Sequence, residues 1–487
     1  MSEVLLIQPN IGIHDFIATR FPDPLLAIAS IPHQRGYKVK LLDQRVEKNF
    51  KQLLEQEIRK KPLCVALPVM TGGQILRALE ISKFIKSIDK DVKIIWGGPH
   101  PTLFPAQVLE NENIDIVVSG EGEITFFELV EALSKGMPLS GIKGLSYKEN
   151  GAIKTNPERD LIKNLDDLPP IPYDLVDTKK YNPTYISGRK AFTLLTSRGC
   201  PYRCTFCFAT AYYNFSWRGY SVDRTMEMIH NAVDKFGAQT ILFQEDNFAT
   251  SIPRCNEIFD RIIKDGLDIT FSLVGIRATD VIRMDLDKMY KAGCRNCDMG
   301  VESADPEVMK TMIKALTPQL VLDVNKKIAD YDIKVKYSFI AGLPMEKDPR
   351  ISIDFAFKLI KENKNAYTPF FPYTPFPGTE MYHLAIEKGF VPPTTLEGWG
   401  NFDLEHWRDH YPNWYTEEEK RWIEGIERMS VLGNRNSKYK ISNKTFRFLF
   451  DLYHPIAKFR FMKNYYGMPL DIKMQNKVMN IVVKTLD

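Results

Sequence analysis

Thr196-Ser-Arg-Gly-Cys200-Pro-Tyr-Arg-Cys204-Thr-Phe-Cys207-Phe208 follows directly on the apolar run Ala191–Thr196, and its reading decides the fold of the second half of the chain. Three thiols packed this closely can wrap one cubane cluster, because thiolates are the usual protein ligands of iron–sulfur iron. Gly199 and Pro201 suit the tight loop that such wrapping requires. A [4Fe–4S] cluster held by Cys200, Cys204 and Cys207 alone leaves one iron with an open position. An open position is what separates a reactive metal centre from a structural one. The competing readings are a zinc site and cysteines buried by chance, but zinc would want a fourth Cys or His nearby. None follows before His230, inside the next helical stretch.

Downstream of the loop, strand candidates recur at Thr240–Phe243, Ile269–Leu273, Cys297–Gly300, Lys334–Ile340 and Ala366–Tyr373. Helical segments such as Asp223–Phe236 and Pro253–Lys264 separate them. This βα series suits a partial or full (β/α) barrel, whose active site lies at the carboxyl ends of its strands. The cysteine loop follows the first of those strands.

Upstream, short apolar strands are predicted at 3–8, Tyr37–Asp43, Cys64–Pro68, Val92–Trp96 and Ile114–Val118, with a helix over Gln74–Ile88. Alternation of this kind predicts a doubly wound parallel sheet, whose ligands sit at the carboxyl ends of the strands. The turns Thr71-Gly72-Gly73, Gly97-Gly98-Pro99-His100 and Ser119-Gly120-Glu121-Gly122-Glu123 fall there. The predicted divisions are 1–140 for this domain, 141–185 for a Gly- and Pro-rich linker, 186–390 for the barrel and 391–487 for a helical C-terminal region.

Composition excludes several classes. The chain has 487 residues, with 65 Lys+Arg against 61 Asp+Glu, a balance that argues against a general nucleic-acid binder. No apolar run approaches the ~20 residues of a membrane-spanning helix. The first residues lack the basic segment and cleavage site of a signal peptide, so a cytoplasmic protein is expected. Seven cysteines, an odd number, speak against a disulfide framework. Cys64, Cys255, Cys294 and Cys297 lie in or beside apolar segments and are expected to be buried thiols rather than a second cluster.

The spacing Cys-x3-Cys-x2-Cys, with an aromatic before the last cysteine, resembles the radical S-adenosylmethionine superfamily. The resemblance implies that the open iron chelates the amino and carboxylate groups of S-adenosylmethionine. It also implies that an external one-electron reductant of flavodoxin or ferredoxin type feeds the cluster. Three further segments match in order. Glu245-Asp246-Asn247-Phe248 corresponds to the contact with the methionine amino group. Gly300-Val301-Glu302-Ser303 corresponds to the approach to the ribose, with Glu302 as the hydroxyl contact. Ile340-Ala341-Gly342-Leu343-Pro344 corresponds to the segment near adenine, although Met345-Glu346 replaces the commoner Gly-Glu. Asp246, Glu302 and Arg277 are the cofactor-contact candidates.

Residues 3–135 resemble the cobalamin-binding domain of the subclass that uses both cofactors. The matching residues are Pro24–Ala29, Arg35-Gly36-Tyr37, Asp43, Gly97–Thr102 and Asp115–Glu123. Gly97, Gly98, Gly120 and Gly122 would let backbone approach the corrin closely. The Asp-x-His-x-x-Gly pattern of a histidine-ligated cobalt is missing. The reversed pair His14-Asp15 does not replace it, and His100 reads as a loop-shaping residue.

The two resemblances together imply a cobalamin-dependent methyltransferase acting at an unactivated carbon, or at phosphorus, of a small-molecule or lipid-like substrate. Ring formation or rearrangement without methyl transfer is the alternative within the subclass. A non-catalytic cluster protein for electron transfer or sensing is the alternative outside it. Residues 435–487 hold eleven Lys and Arg, from Arg435 to Lys484, against Asp451, Asp471 and Asp487, interleaved with aromatics. An amphipathic cap over the barrel mouth with a solvated basic face is the favoured reading there, and a surface meeting anionic lipid the other.

Overall fold

The computed structural model describes residues 4–11, 20–181, 189–402, 415–436 and 444–466. His14 and Asp15 lie outside the described residues, as do Lys438, Lys440, Lys473, Lys477 and Lys484. The chain divides into two compact units, residues 1–183 with 392–410, and 184–391 with 411–487.

In the first unit, β1 (Val4–Gln8), β2 (Val39–Asp43), β3 (Cys64–Pro68), β4 (Lys93–Gly97) and β5 (Ile116–Val118) pair in parallel in the order β2-β1-β3-β4-β5. This is a doubly wound order with its switch point between β1 and β3. Both faces are covered, so β1 is buried along its whole length. Helices Asp23–Gln34 and Gly122–Lys135 enclose one face through Leu25, Ala29, Phe126, Leu129 and Val130. On the helix Gln74–Ile88, Ser82 Oγ accepts from the buried Trp96 indole at 3.1 Å, so the one polar atom of that large side chain is satisfied.

The stretch 141–185 is more than a linker. β6 (Leu145–Glu149) adds antiparallel to β5, and β7 (Ala152–Thr155) to β6. Asn150 and Gly151 make the two-residue turn with φ of 51° and 78°. Asn-Gly is the dipeptide such a turn prefers. Residues 392–402 also depart from the expected C-terminal region. The Trp399 ring stands 5.2 Å from that of Phe104 and 5.9 Å from that of His100, and Trp399 O accepts from Gly72 N at 3.1 Å. The short helix Leu396–Gly400 therefore packs on the first unit.

The second unit is an open, all-parallel sheet of barrel type. Its strands are β8 (Ala191–Leu194), β11 (Thr240–Gln244), β12 (Thr270–Ile276), β13 (Cys294–Glu302), β14 (Lys334–Ala341) and the pair β15 (Ala366–Tyr367) and β16 (Phe370–Pro372). Sequence neighbours are spatial neighbours throughout, as helical crossovers in a βα series require. A small antiparallel ribbon, β9 (Ser197–Gly199) with β10 (Trp217–Gly219), brackets the cysteine loop. β13 begins three residues earlier than its apolar pattern predicts. Cys294 and Cys297 lie fully buried within it with their sulfurs 3.8 Å apart. Cys64 and Cys255 are buried too, and burial pushes both thiols up to about 12. Among the described residues no helix is long and apolar enough to cross a membrane.

Candidate active site

The geometry of the cysteine loop starts at Gly199. Its φ is +79°, and a Cβ there would lie 2.1 Å from Ser216 O, so no other residue fits without moving backbone. Gly199 N donates to Asp246 Oδ2 at 2.9 Å, which ties the residue before Cys200 to the carboxyl end of β11. The neighbouring acid does different work. Glu245 is buried and accepts from Thr196 N at 2.7 Å and from the Ser197 hydroxyl, so it anchors the turn between β8 and β9. Burial raises the carboxyl group of Glu245, and its hydrogen bonds oppose that rise. Asp246 is walled by protein yet open to solvent. Desolvation raises its carboxyl group and the Gly199 N–H holds it down. We expect Gly199→Ala to lose at least about 2 kcal/mol of stability, from the left-handed backbone and the collision together. Thermal unfolding beside iron retention checks this; a variant that keeps both would show that the loop tolerates a wider turn.

Within the loop, Tyr202 carries the organisation. Its hydroxyl donates to the buried Asp280 at 2.9 Å, and Asn247 Nδ2 donates to the other oxygen of Asp280 at 3.1 Å. The guanidinium of Arg277 lies 3.5 Å from the centroid of the Tyr202 ring. Arg277 Nη1 reaches Cys204 Sγ at 3.6 Å, and Nη2 donates to Lys314 O. Thr205 fixes the far side of the loop. Its N–H donates to Met312 O at 3.1 Å, and its carbonyl accepts from Met381 N at 2.9 Å.

Glu302 comes in from the end of β13. A register shift between Gly300 and Glu302 gives Glu302 a φ of +71°, unusual for a side-chain-bearing residue. The side chain folds back so closely that a Cβ on Gly300 would lie 2.0 Å from Glu302 Oε1. Lys314 Nζ donates to that oxygen at 2.7 Å and lies 5.2 Å from the Phe206 ring centroid. The structure therefore draws Asp246, Arg277 and Glu302 around the three cysteines, each through a contact to the loop or to a residue touching it. Lys314 escaped the sequence reading because no motif marks it. Gly342 has a φ of +79° and is covered by Ile423 and Tyr415, whose hydroxyl donates to Gly342 O.

The donor set fits a cubane. Burial raises the thiols of Cys200 and Cys207, the latter to about 11, and each would gain from an iron that takes its proton's place. Among the described residues no three metal-ligating side chains converge on one point.

In the first unit, Gly98 has a φ of +96°, and a Cβ there would lie 3.1 Å from Val69 O. Thr102 Oγ1 donates to Gly98 O and accepts from Gly120 N, which locks the turns after β4 and β5 together. A Cβ on Gly120 would meet no atom, whereas one on Gly122 would lie 3.1 Å from Ile28, and one on Gly97 3.4 Å from Val118 O. Met70, after β3, is half exposed. Open backbone at Gly120, at the carboxyl end of the sheet, leaves room for a flat macrocycle. His100 is fully buried, its Nδ1 pairs with Thr71 Oγ1 at 3.1 Å, and burial lowers the ring to about 4. It shapes the loop as a neutral imidazole. Its Nε2 has no partner among the described residues.

Residues 22–130 match the B12 binding domain family, and residues 194–355 the Radical SAM superfamily. An uncharacterized methyltransferase of Pyrococcus horikoshii is 34% identical over 394 residues, covering 80% of this chain and 84% of that protein. This chain belongs to the B12-binding class of the radical SAM superfamily. As a radical SAM enzyme of that class it takes a [4Fe–4S] cluster, S-adenosylmethionine and cobalamin. The cytidylyl-2-hydroxyethylphosphonate methyltransferase of Streptomyces wedmorensis is 25% identical, with 80% and 83% of the two chains covered. The fold is shared with the radical S-adenosylmethionine methyltransferase TsrM of Kitasatospora setae, solved with cobalamin and a [4Fe–4S] cluster bound. The TM-score is 0.68 at 17% identity, with 94% of this radical SAM chain and 100% of that one covered.

Proposed function

We propose that this radical SAM enzyme methylates an unactivated carbon, or a phosphorus, of a small-molecule or lipid-like substrate in the cytoplasm. The observation that carries the reading is one chain holding both a three-cysteine loop and a B12 binding domain, aligned over four fifths of its length with two methyltransferases. When bound, the cluster and S-adenosylmethionine supply a 5′-deoxyadenosyl radical, and cobalamin carries the methyl group.

The chain's own residues bind and orient. Cys200, Cys204 and Cys207 hold three irons. Arg277 places positive charge beside the Cys204 sulfur, which favours a reduced cluster. Asp246, open to solvent and carboxylate-bearing, meets the methionine ammonium. Glu302, its one oxygen fixed by Lys314, presents the other to the ribose. Gly97, Gly98, Gly120 and Gly122 line the approach to the corrin. A flavodoxin or ferredoxin is the electron donor.

The test is an anaerobic assay of reconstituted enzyme with reductant, S-adenosylmethionine and candidate substrates. S-adenosylhomocysteine and 5′-deoxyadenosine are expected in roughly equal amounts, since one S-adenosylmethionine restores the methyl group and another gives the radical. Turnover that yields deoxyadenosine without S-adenosylhomocysteine would sink methyl transfer and favour ring formation.

A further inference from the structure

The last described helix, Lys444–Met462, is apolar on two opposite sides. Phe450, Ala457 and Phe461 are buried, and Phe461 packs against Phe357 and Phe370, with ring centroids 4.5 and 5.9 Å away. At 3.6 residues per turn the opposite side collects Phe448, Leu449, Leu452, Ile456, Phe459 and Met462. These are exposed by 50% or more, with Phe448 at 62% and Leu452 at 61%. A surface helix of a soluble protein turns polar residues outward, and one that is apolar all round is ordinarily buried. The expected solvated basic face is therefore not what this helix shows. The outer face is apolar, and the exposed cations Arg447, Lys458 and Lys463 stand along and beside it with Asp451.

We propose that this outer face docks on an anionic lipid bilayer. The chemistry selects that partner. Phenylalanine and aliphatic side chains insert at the boundary between headgroups and acyl chains, and flanking lysines and arginines meet phosphate. Along the described part of the helix and just past it the exposed charge is one-sided, with Arg447, Lys458 and Lys463 against Asp451. A second copy joined through the same face would bring those cations against each other, because a two-fold contact pairs a patch with itself. An anionic surface neutralises them instead.

The experiment is flotation of the full-length, cluster-loaded protein with vesicles of phosphatidylcholine alone or with about 30% phosphatidylglycerol, at low and high salt. Co-flotation with the anionic vesicles, weaker by at least tenfold on neutral ones and reduced by salt, is the expected result. L452E/F459E should lose it while keeping its iron content and unfolding temperature, since both side chains already face solvent. L54E, in the buried core of the first unit, would report what mere misfolding looks like. Wild-type protein that floats with neither vesicle overturns the proposal. So does a dimer in solution that L452E/F459E disperses without any vesicle binding, which would make the face a contact between copies.

Discussion

Cys204→Ala protein, reconstituted anaerobically with iron and sulfide, is expected to retain little iron and to form 5′-deoxyadenosine at least about a thousandfold more slowly than wild type, a barrier increase of ~4 kcal/mol. Cys204 is the most enclosed of the three cysteines, with the Arg277 guanidinium at 3.6 Å from its sulfur. Alanine removes a ligand and leaves that cation facing an apolar methyl group. Two cysteines hold a cluster poorly, and no other described cysteine is placed to replace the third. Cys294→Ala is the control. Its thiol is buried in β13 against Cys297, so its loss should cost about 1 kcal/mol of packing and leave iron near four per chain. Equal loss of iron in the two variants, read by metal analysis and the visible absorption of the cluster, would show that the loop is not the cluster site.

Lys314→Met is expected to destabilise the second unit by about 3 kcal/mol. The side chains of Lys314 and Glu302 are only 8% and 12% exposed, and they meet at 2.7 Å. Removing the ammonium strands a carboxylate in poor solvent, on a residue whose φ of +71° already costs ~1–2 kcal/mol. The cysteine loop should feel the change, because Lys314 O also accepts from Arg277. Iron retention is therefore expected to fall together with stability. The double variant E302Q/K314M should recover most of the stability, since it removes the unpaired charge along with the pair. Denaturant unfolding decides the matter: a double variant as unstable as the single one would mean that packing of the lysine stem, not the ion pair, holds this corner.

The cysteine loop was legible because its chemistry is local: the spacing alone specifies a wrapping turn. The parallel strands were legible because burial on both faces writes continuous apolar runs such as Val4–Ile7. Lys314 was not, because it sits past the helix Pro306–Thr311 and acquires its partner only when β13 twists Glu302 back. The hairpin of β6 and β7 carried a usable signal in Asn150-Gly151, flanked by the strand-like Leu145-Ser-Tyr. It was outweighed by the glycines and prolines around it. Trp399 belongs to the first unit although more than two hundred residues of barrel separate it from that unit's sheet, and no periodicity encodes such a return. The basic residues of the C-terminal region suggested a solvated basic face, and that reading missed the exposed apolar stripe between them. That stripe emerges only when the register of the helix shows which side is taken by Phe450 and Phe461.

Thr205 has a consequence for the order of assembly. Its backbone bonds reach Met312 and Met381, partners far along the chain, while it stands between Cys204 and Cys207 in the cysteine loop. Loops that long close late, because their entropy must be offset by contacts made beforehand. The nascent chain therefore emerges with its three thiols early but completes their setting only after the strand and helices near residue 381 have been synthesised and packed. A cluster bound by this loop would therefore be expected to enter a nearly finished barrel, as the last clasp on the fold rather than as its seed.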